Sequence, residues 1–142
     1  MKIEDYTFPE ELYYHKEHFW AKIAGDSVII GTTDFAQKLA GQVVYIELPS
    51  AGKMVEQGKP CGSMESGKWV GRIYSPLSGK VEAINGSLED TPELINESPY
   101  EKGWLFKIVP SNLQVELNNL MKSNQLEGFI KSEIERVKKL KG

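Results

Sequence analysis

Within this 142-residue chain, the stretch Met64-Glu65-Ser66-Gly67-Lys68-Trp69 holds the residues best suited to chemistry. Ser and Gly favour a tight turn, and Gly tolerates positive φ. Strand-forming residues lie on both sides, ending in Ile73-Tyr74-Ser75-Pro76. The pattern predicts Lys68 at a hairpin tip, projecting away from the sheet. A tip lysine lacks the burial that turns lysines into general bases. It suits covalent modification instead, because an amide on Nζ makes a long, flexible and neutral tether.

Other reactive side chains are few. Cys61 is the single cysteine, which excludes an internal disulfide framework and an all-cysteine metal site. It reads as a small buried strand residue, inert towards disulfide exchange. His15 and His18 flank Glu17 but lack further ligands at metal-like spacing, so packing or surface roles are expected and no metal site. No nucleophile with a base, ligand cluster or phosphate loop is present, so no catalytic residue is assigned and a stand-alone enzyme is not expected.

The elements that must hold the lysine can be read from the glycines. Between about Leu12 and Pro110, glycines punctuate β-rich runs. These are Phe19–Ile23, Ser27–Gly31, Val43–Leu48, Lys80–Ile84 and Trp104–Val109. Short strands with regular turns predict a mainly β fold, a sandwich or barrel. Thr32–Ala40 opens with capping residues, spaces its apolar residues helically and stops at Gly41, which predicts a helix. Gly41-x-Val43-x-x-Ile46 recurs as Gly79-x-Val81-x-x-Ile84, the trace expected of two similar β-motifs folded against each other. The segment between them must then reverse, and it contains Lys68.

After Pro110 the chain changes character. Ser111 is placed to cap a helix through Met121, and Ser123 a second from Gln125 to Leu140. The second lines up Leu126, Phe129, Ile130, Ile134, Val137 and Leu140 on one stripe. Two units are expected: residues 1–110 as the β-sandwich and 111–142 as a helical extension packed on the same domain.

Composition bounds the partners. Hydrophobic residues are 40% and charged residues 26%, which favours neither disorder nor a membrane protein. Net charge is −3, which argues against nucleic acid. Residues 131–142 carry +3 and the remainder −6, and the basic end reads as a solvated helix terminus. The N-terminus lacks signal-peptide and transit-peptide features, and with one cysteine this predicts a cytoplasmic setting.

At these residues the chain resembles the glycine cleavage H-protein family of lipoyl carriers. The resemblance spans roughly residues 10–130 and rests on several motifs. They are Tyr14-His15-Lys16-Glu17-His18-Phe19-Trp20, Gly31–Gln37, Gly41–Pro49, Glu65-Ser66-Gly67-Lys68, Ile73–Gly79, Asn85, Asn96–Tyr100 and Gly103-Trp104-Leu105. It implies a lipoyl-domain-like β-sandwich or flattened barrel with short helices and a helical tail. It implies lipoic acid in amide linkage to Lys68, with Glu65, Ser66 and Gly67 as the turn that the lipoate-attaching enzyme reads. It also implies a non-catalytic, monomeric carrier with three partners. The P protein (glycine decarboxylase) loads an aminomethyl group, the T protein (aminomethyltransferase) passes it on, and the L protein (dihydrolipoyl dehydrogenase) reoxidises the carrier. The family usually has Val before the lysine, Ala after it and Asp further on; this chain has Gly67, Trp69 and Arg72. The departures leave open a relative, the lipoate-binding protein of heterodisulfide-reductase-like sulfur oxidation, whose arm carries sulfur intermediates. Biotin carriers set their lysine between methionines, and acyltransferase lipoyl domains show Asp-Lys-Ala without the tail; neither pattern is present.

Overall fold

The structure is a computed structural model, described for residues 1–141. A short N-terminal hairpin pairs β1 (Lys2–Ile3) with β2 (Tyr6–Thr7). Next come β3 (Tyr13–Tyr14), β4 (Phe19–Ala24), β5 (Ser27–Thr32), α1 (Asp34–Ala40) and β6 (Val43–Glu47). They are followed by β7 (Met54–Val55), β8 (Pro60–Ser66), β9 (Val70–Tyr74) and β10 (Gly79–Ile84). Two one-turn helices, α2 (Ser87–Asp90) and α3 (Leu94–Glu97), precede β11 (Phe106–Pro110). The chain closes with α4 (Leu113–Glu116), a 3-10 turn (Leu117–Asn119) and α5 (Ser123–Lys141).

The main sheet has six strands in the order β3-β4-β5-β11-β10-β7, and a second has three in the order β6-β8-β9. All named pairings are antiparallel. Side-chain alternation decides the layers. Ala21, Val28, Ile30, Phe106 and Ile108 share one core with Val43, Ile46, Met64 and Ile73, so the two sheets face each other. The sheets stay open, so this is a sandwich rather than a closed barrel. The echoed motifs open β6 and β10 in different sheets, with Val43 and Val81 buried in this common core.

A second core lies on the other face of the six-stranded sheet. Trp20 packs there with Phe8, Tyr14, Phe35 and three α5 residues, Leu126, Ile130 and Ile134. Phe129 and Val137 complete the stripe at its margin, whereas Leu140 is 76% exposed and lies off it. The region after Ser111 also departs from expectation. The helix predicted there is only α4 plus a 3-10 turn, and Asn112, not Ser111, precedes it without a side-chain cap. Leu113 and Leu117 bind this segment to the inter-sheet core, and Glu116 accepts from Ser78 through both carboxylate oxygens. Tertiary anchoring thus sets its short length. The long helix starts at Ser123 itself.

Candidate functional site

Lys68 sits in the turn between β8 and β9 and is exposed. The Ser66 N–H donates to the Trp69 carbonyl at 2.8 Å, and the Lys68 N–H donates to Ser66 Oγ at 3.3 Å. The hydroxyl therefore does the turn chemistry expected of it. Gly67 does not take positive φ, and a Cβ on it would meet open space. The turn needs no glycine there. Glu65 closes β8 opposite Val70, beside the turn. Glu65, Ser66, Gly67 and Lys68 are thus brought together as one hairpin end.

The lysine does not point straight away from the sheet. Its stem folds over Gly41, where a Cβ would lie 2.9 Å from Lys68 Cε and 3.6 Å from Nζ. Gly41 ends α1 with φ +81 and ψ −168, a conformation essentially restricted to glycine. Its N–H donates to the Gln37 carbonyl, while Thr33 caps the other end of α1. Asn96 then clamps the segment. Its amide donates to the Gly41 carbonyl at 2.8 Å, and its Oδ1 accepts from the Val43 N–H at 2.8 Å. The resulting hollow is about 460 Å³, lined by Ala40, Gly41, Gln42, Val44 and the turn itself. The sequence marked Gly41 as a helix stop, as the start of the repeated motif and as part of a family motif, but not as the bed of the lysine stem. Asn96 was marked only as part of a family motif, and its clamping role was not legible because its partners are 53 and 55 residues away.

On the other side of the turn lies a groove of about 360 Å³. Trp69 is 41% exposed, and its ring lies where a Cβ on Gly71 would be. Only glycine at 71 lets the indole lie flat along β9. Arg72 and Arg136, the only arginines of the chain, line the groove with Tyr74, Glu17 and His18. Arg136 is held by Glu133 through Nε at 3.0 Å and a terminal nitrogen at 3.1 Å. Arg72 makes no ion pair among the described residues.

His18 joins this region to α5. Its Nε2 lies 2.8 Å from Glu133 Oε1, and since a carboxylate only accepts, Nε2 carries the proton. Burial lowers the His18 pKa and outweighs the Glu133 contact, which acts to raise it. His15 is also shifted down, chiefly by burial, and its Nδ1 accepts from the Glu17 N–H. Both rings pack within the fold, and no group of three or more His, Cys, Asp and Glu that could hold a metal ion occurs among the described residues. Cys61 is half-buried in β8, and burial pushes its thiol up to about 11, which suppresses the reactive thiolate. No described helix is long and apolar enough to cross a membrane.

Comparison with known proteins gives a consistent picture. The family profile for glycine cleavage H-protein matches residues 12–133. The glycine cleavage system H protein of Bacillus licheniformis is 48% identical over 125 residues, covering 88% of this chain and 98% of that protein. The probable glycine cleavage system H protein of Thermococcus gammatolerans is 44% identical over 133 residues, covering 93% and 98%. The crystal structure of a glycine cleavage system H protein from Mycobacterium marinum superposes with a TM-score of 0.78 at 31% identity, covering 85% of this chain and 97% of that one. The profile match spans both sheets, the lysine turn and the start of α5, and on that evidence the chain belongs to the glycine cleavage H-protein family.

Proposed function

We propose that the protein is the lipoyl carrier of a glycine cleavage system, with Lys68 as the attachment residue. The observation that carries this reading is the exposed amine on a tight hairpin end, in a chain of this family. The surroundings fit an amide-linked arm. The absent Cβ of Gly41 leaves a bed for the lysine stem, and an open hollow continues beside it. Glu65, Ser66 and Gly67 present the turn to the attaching enzyme. Once attached, the lipoyl group supplies a reversible disulfide that accepts and releases a one-carbon amine unit.

The chain's own part is to present, shelter and orient. The β8–β9 hairpin holds the attachment point at a fixed place, and Asn96 keeps Gly41 beneath it. Tethering replaces separate encounters by a high local concentration at each partner. In this reading the chain is not itself a catalyst. It acts as a monomer serving the P, T and L proteins, with residues 1–110 as the carrier sandwich and 111–142 as its helical support.

One observation favours a second reading. Both arginines line the groove beside the turn, and Trp69 is laid flat against it by Gly71. A partner that reads this rim meets a cation and an indole one to four residues from Lys68. That rim departs from the one glycine-cleavage partners usually meet, which keeps as the second reading the sulfur-oxidation lipoate-binding role, in which the arm carries sulfur intermediates.

Intact-mass measurement after incubation with lipoate ligase, ATP and lipoate tests the attachment. The wild-type chain should gain one lipoyl amide, mapped to Lys68 by peptide sequencing. Lys68→Arg should keep the fold and the charge and gain nothing, because a guanidinium is not a usable amine here. Lipoylation of that variant at any of the 14 remaining lysines would overturn the assignment.

A further inference from the structure

A second groove, of about 490 Å³, lies on the face of the six-stranded sheet turned away from the sheet that bears Lys68. Its floor follows from strand register. Lys22 on β4 pairs with Ile29 on β5, which pairs with Lys107 on β11, so a row Lys22–Ile29–Lys107 crosses the outer face. Tyr100, Lys102 and half-buried Trp104 form the facing wall, with Glu101 at the rim.

The groove is rigid. Trp20 Nε1 donates to the Pro99 carbonyl at 3.0 Å, and the Asn85 amide donates to the carbonyls of Lys102 and Trp104 at 2.9 and 2.8 Å. Tyr100 Oη donates to the Thr7 carbonyl and accepts from the Asp34 N–H. These bonds tie the wall to the six-stranded sheet, to β2 and to α1 before anything binds, which limits the ordering cost of association.

Its charge runs against the molecule. The protein carries −3 overall, yet this lining holds three lysines and one glutamate. Among the described residues, none of the three ammonium groups forms an ion pair. A shallow aromatic and aliphatic centre flanked by free cations matches the anatomy of a protein interface: an apolar anchor with charge pairs beside it. The groove is partly open to solvent, which suits a chain segment laid across it.

We propose that this groove docks an acidic segment of a partner protein, with one aromatic or aliphatic side chain seated between Ile29 and Trp104. Because it faces away from the lysine turn, a partner held here leaves the hairpin end free. The site acts as a fixed anchor, and the inference does not depend on what Lys68 carries.

The test is fluorescence anisotropy with a labelled acidic heptapeptide, Asp-Glu-Asp-Phe-Glu-Asp-Glu, on the intact protein. Binding should weaken when salt rises from about 50 to about 500 mM. Replacing the central Phe by Gly should weaken it about tenfold, as should Lys22→Glu with Lys107→Glu, two side chains that point outward from their strands. Ile29→Ser should weaken it with the charge unchanged, and Lys68→Arg should leave it as in wild type. Far-UV circular dichroism checks that each variant is folded. Absence of peptide binding would overturn the proposal. Equal binding of the Phe and Gly peptides would also do so, since charge alone would then suffice. So would a concentration-dependent dimer, seen by light scattering, that the double Lys→Glu variant abolishes. Saturable binding of anilinonaphthalene sulfonate without peptide binding would mark a small-molecule site and would overturn it as well.

Discussion

Two histidines are kept neutral by the fold, with a consequence at the residue scale. His15 and His18 both have pKa values below the ordinary 6.5, in each case mainly from burial. Glu17 and Glu133 pull the other way, while Lys16 and Arg136 reinforce the depression. A group whose folded pKa is depressed takes up its proton more readily when unfolded. The stability it contributes is complete above pH 6.5 and is lost as pH falls through the folded value. The Glu133 pKa is also lowered, mainly by Arg136, and its contribution is lost only below 4.5. Thermal unfolding between pH 7.5 and 5 should therefore show a falling midpoint. His15→Asn with His18→Asn should flatten that slope. Asn retains an acceptor at 15 and tolerates the φ of +72 at 18. An unchanged slope would place the titrating groups elsewhere.

At the element scale, α5 is held by one stripe and not by its length. Ile130 is buried against the second core, while Leu140, which the sequence pattern placed on the same stripe, lies off it and is solvent-exposed. Ile130→Ala should cost about 2–5 kcal/mol, combining lost transfer energy and a residual cavity. Leu140→Ser should stay within about 0.5 kcal/mol of wild type. Urea unfolding followed by circular dichroism measures both. Loss of α5 packing also releases His18, which bonds Glu133 from the β3–β4 connection and lines the groove beside the lysine turn.

At the scale of the whole molecule, the surface around Lys68 sets which partners can dock there. The lipoylated protein should support glycine decarboxylation or bicarbonate exchange with P protein. The variant Trp69→Ala with Arg72→Asp is assayed beside it. Rim charges mainly set association rate, whereas a like-charge clash redirects specificity. An inactive native protein whose double variant gains activity would transfer the assignment to the sulfur-oxidation carrier. Activity of the native protein upholds the glycine-cleavage reading.

Much of the molecule is determined locally and was legible in the chain. β4, β5, β6, β10 and β11 fall on the runs read from alternation and glycine spacing, because each is a local pattern of β-forming residues between turns. Helix α1 was equally clear, since Thr33 caps it and Gly41 ends it within a few residues. The motif Glu65-Ser66-Gly67-Lys68 announced the turn for the same reason. Tertiary structure decided the rest. The two-residue strands β1, β2, β3 and β7 exist only through their pairing partners. The one-turn helices α2 and α3 are too short for a period to register. The bed under Lys68 joins Gly41 to a turn 27 residues later and to Asn96 from a third segment. The basic groove gathers Lys22, Ile29, Trp104 and Lys107 from three strands and a loop. No spacing in the sequence encodes such neighbours, because strand register and the packing of layers bring them together only after the chain has folded.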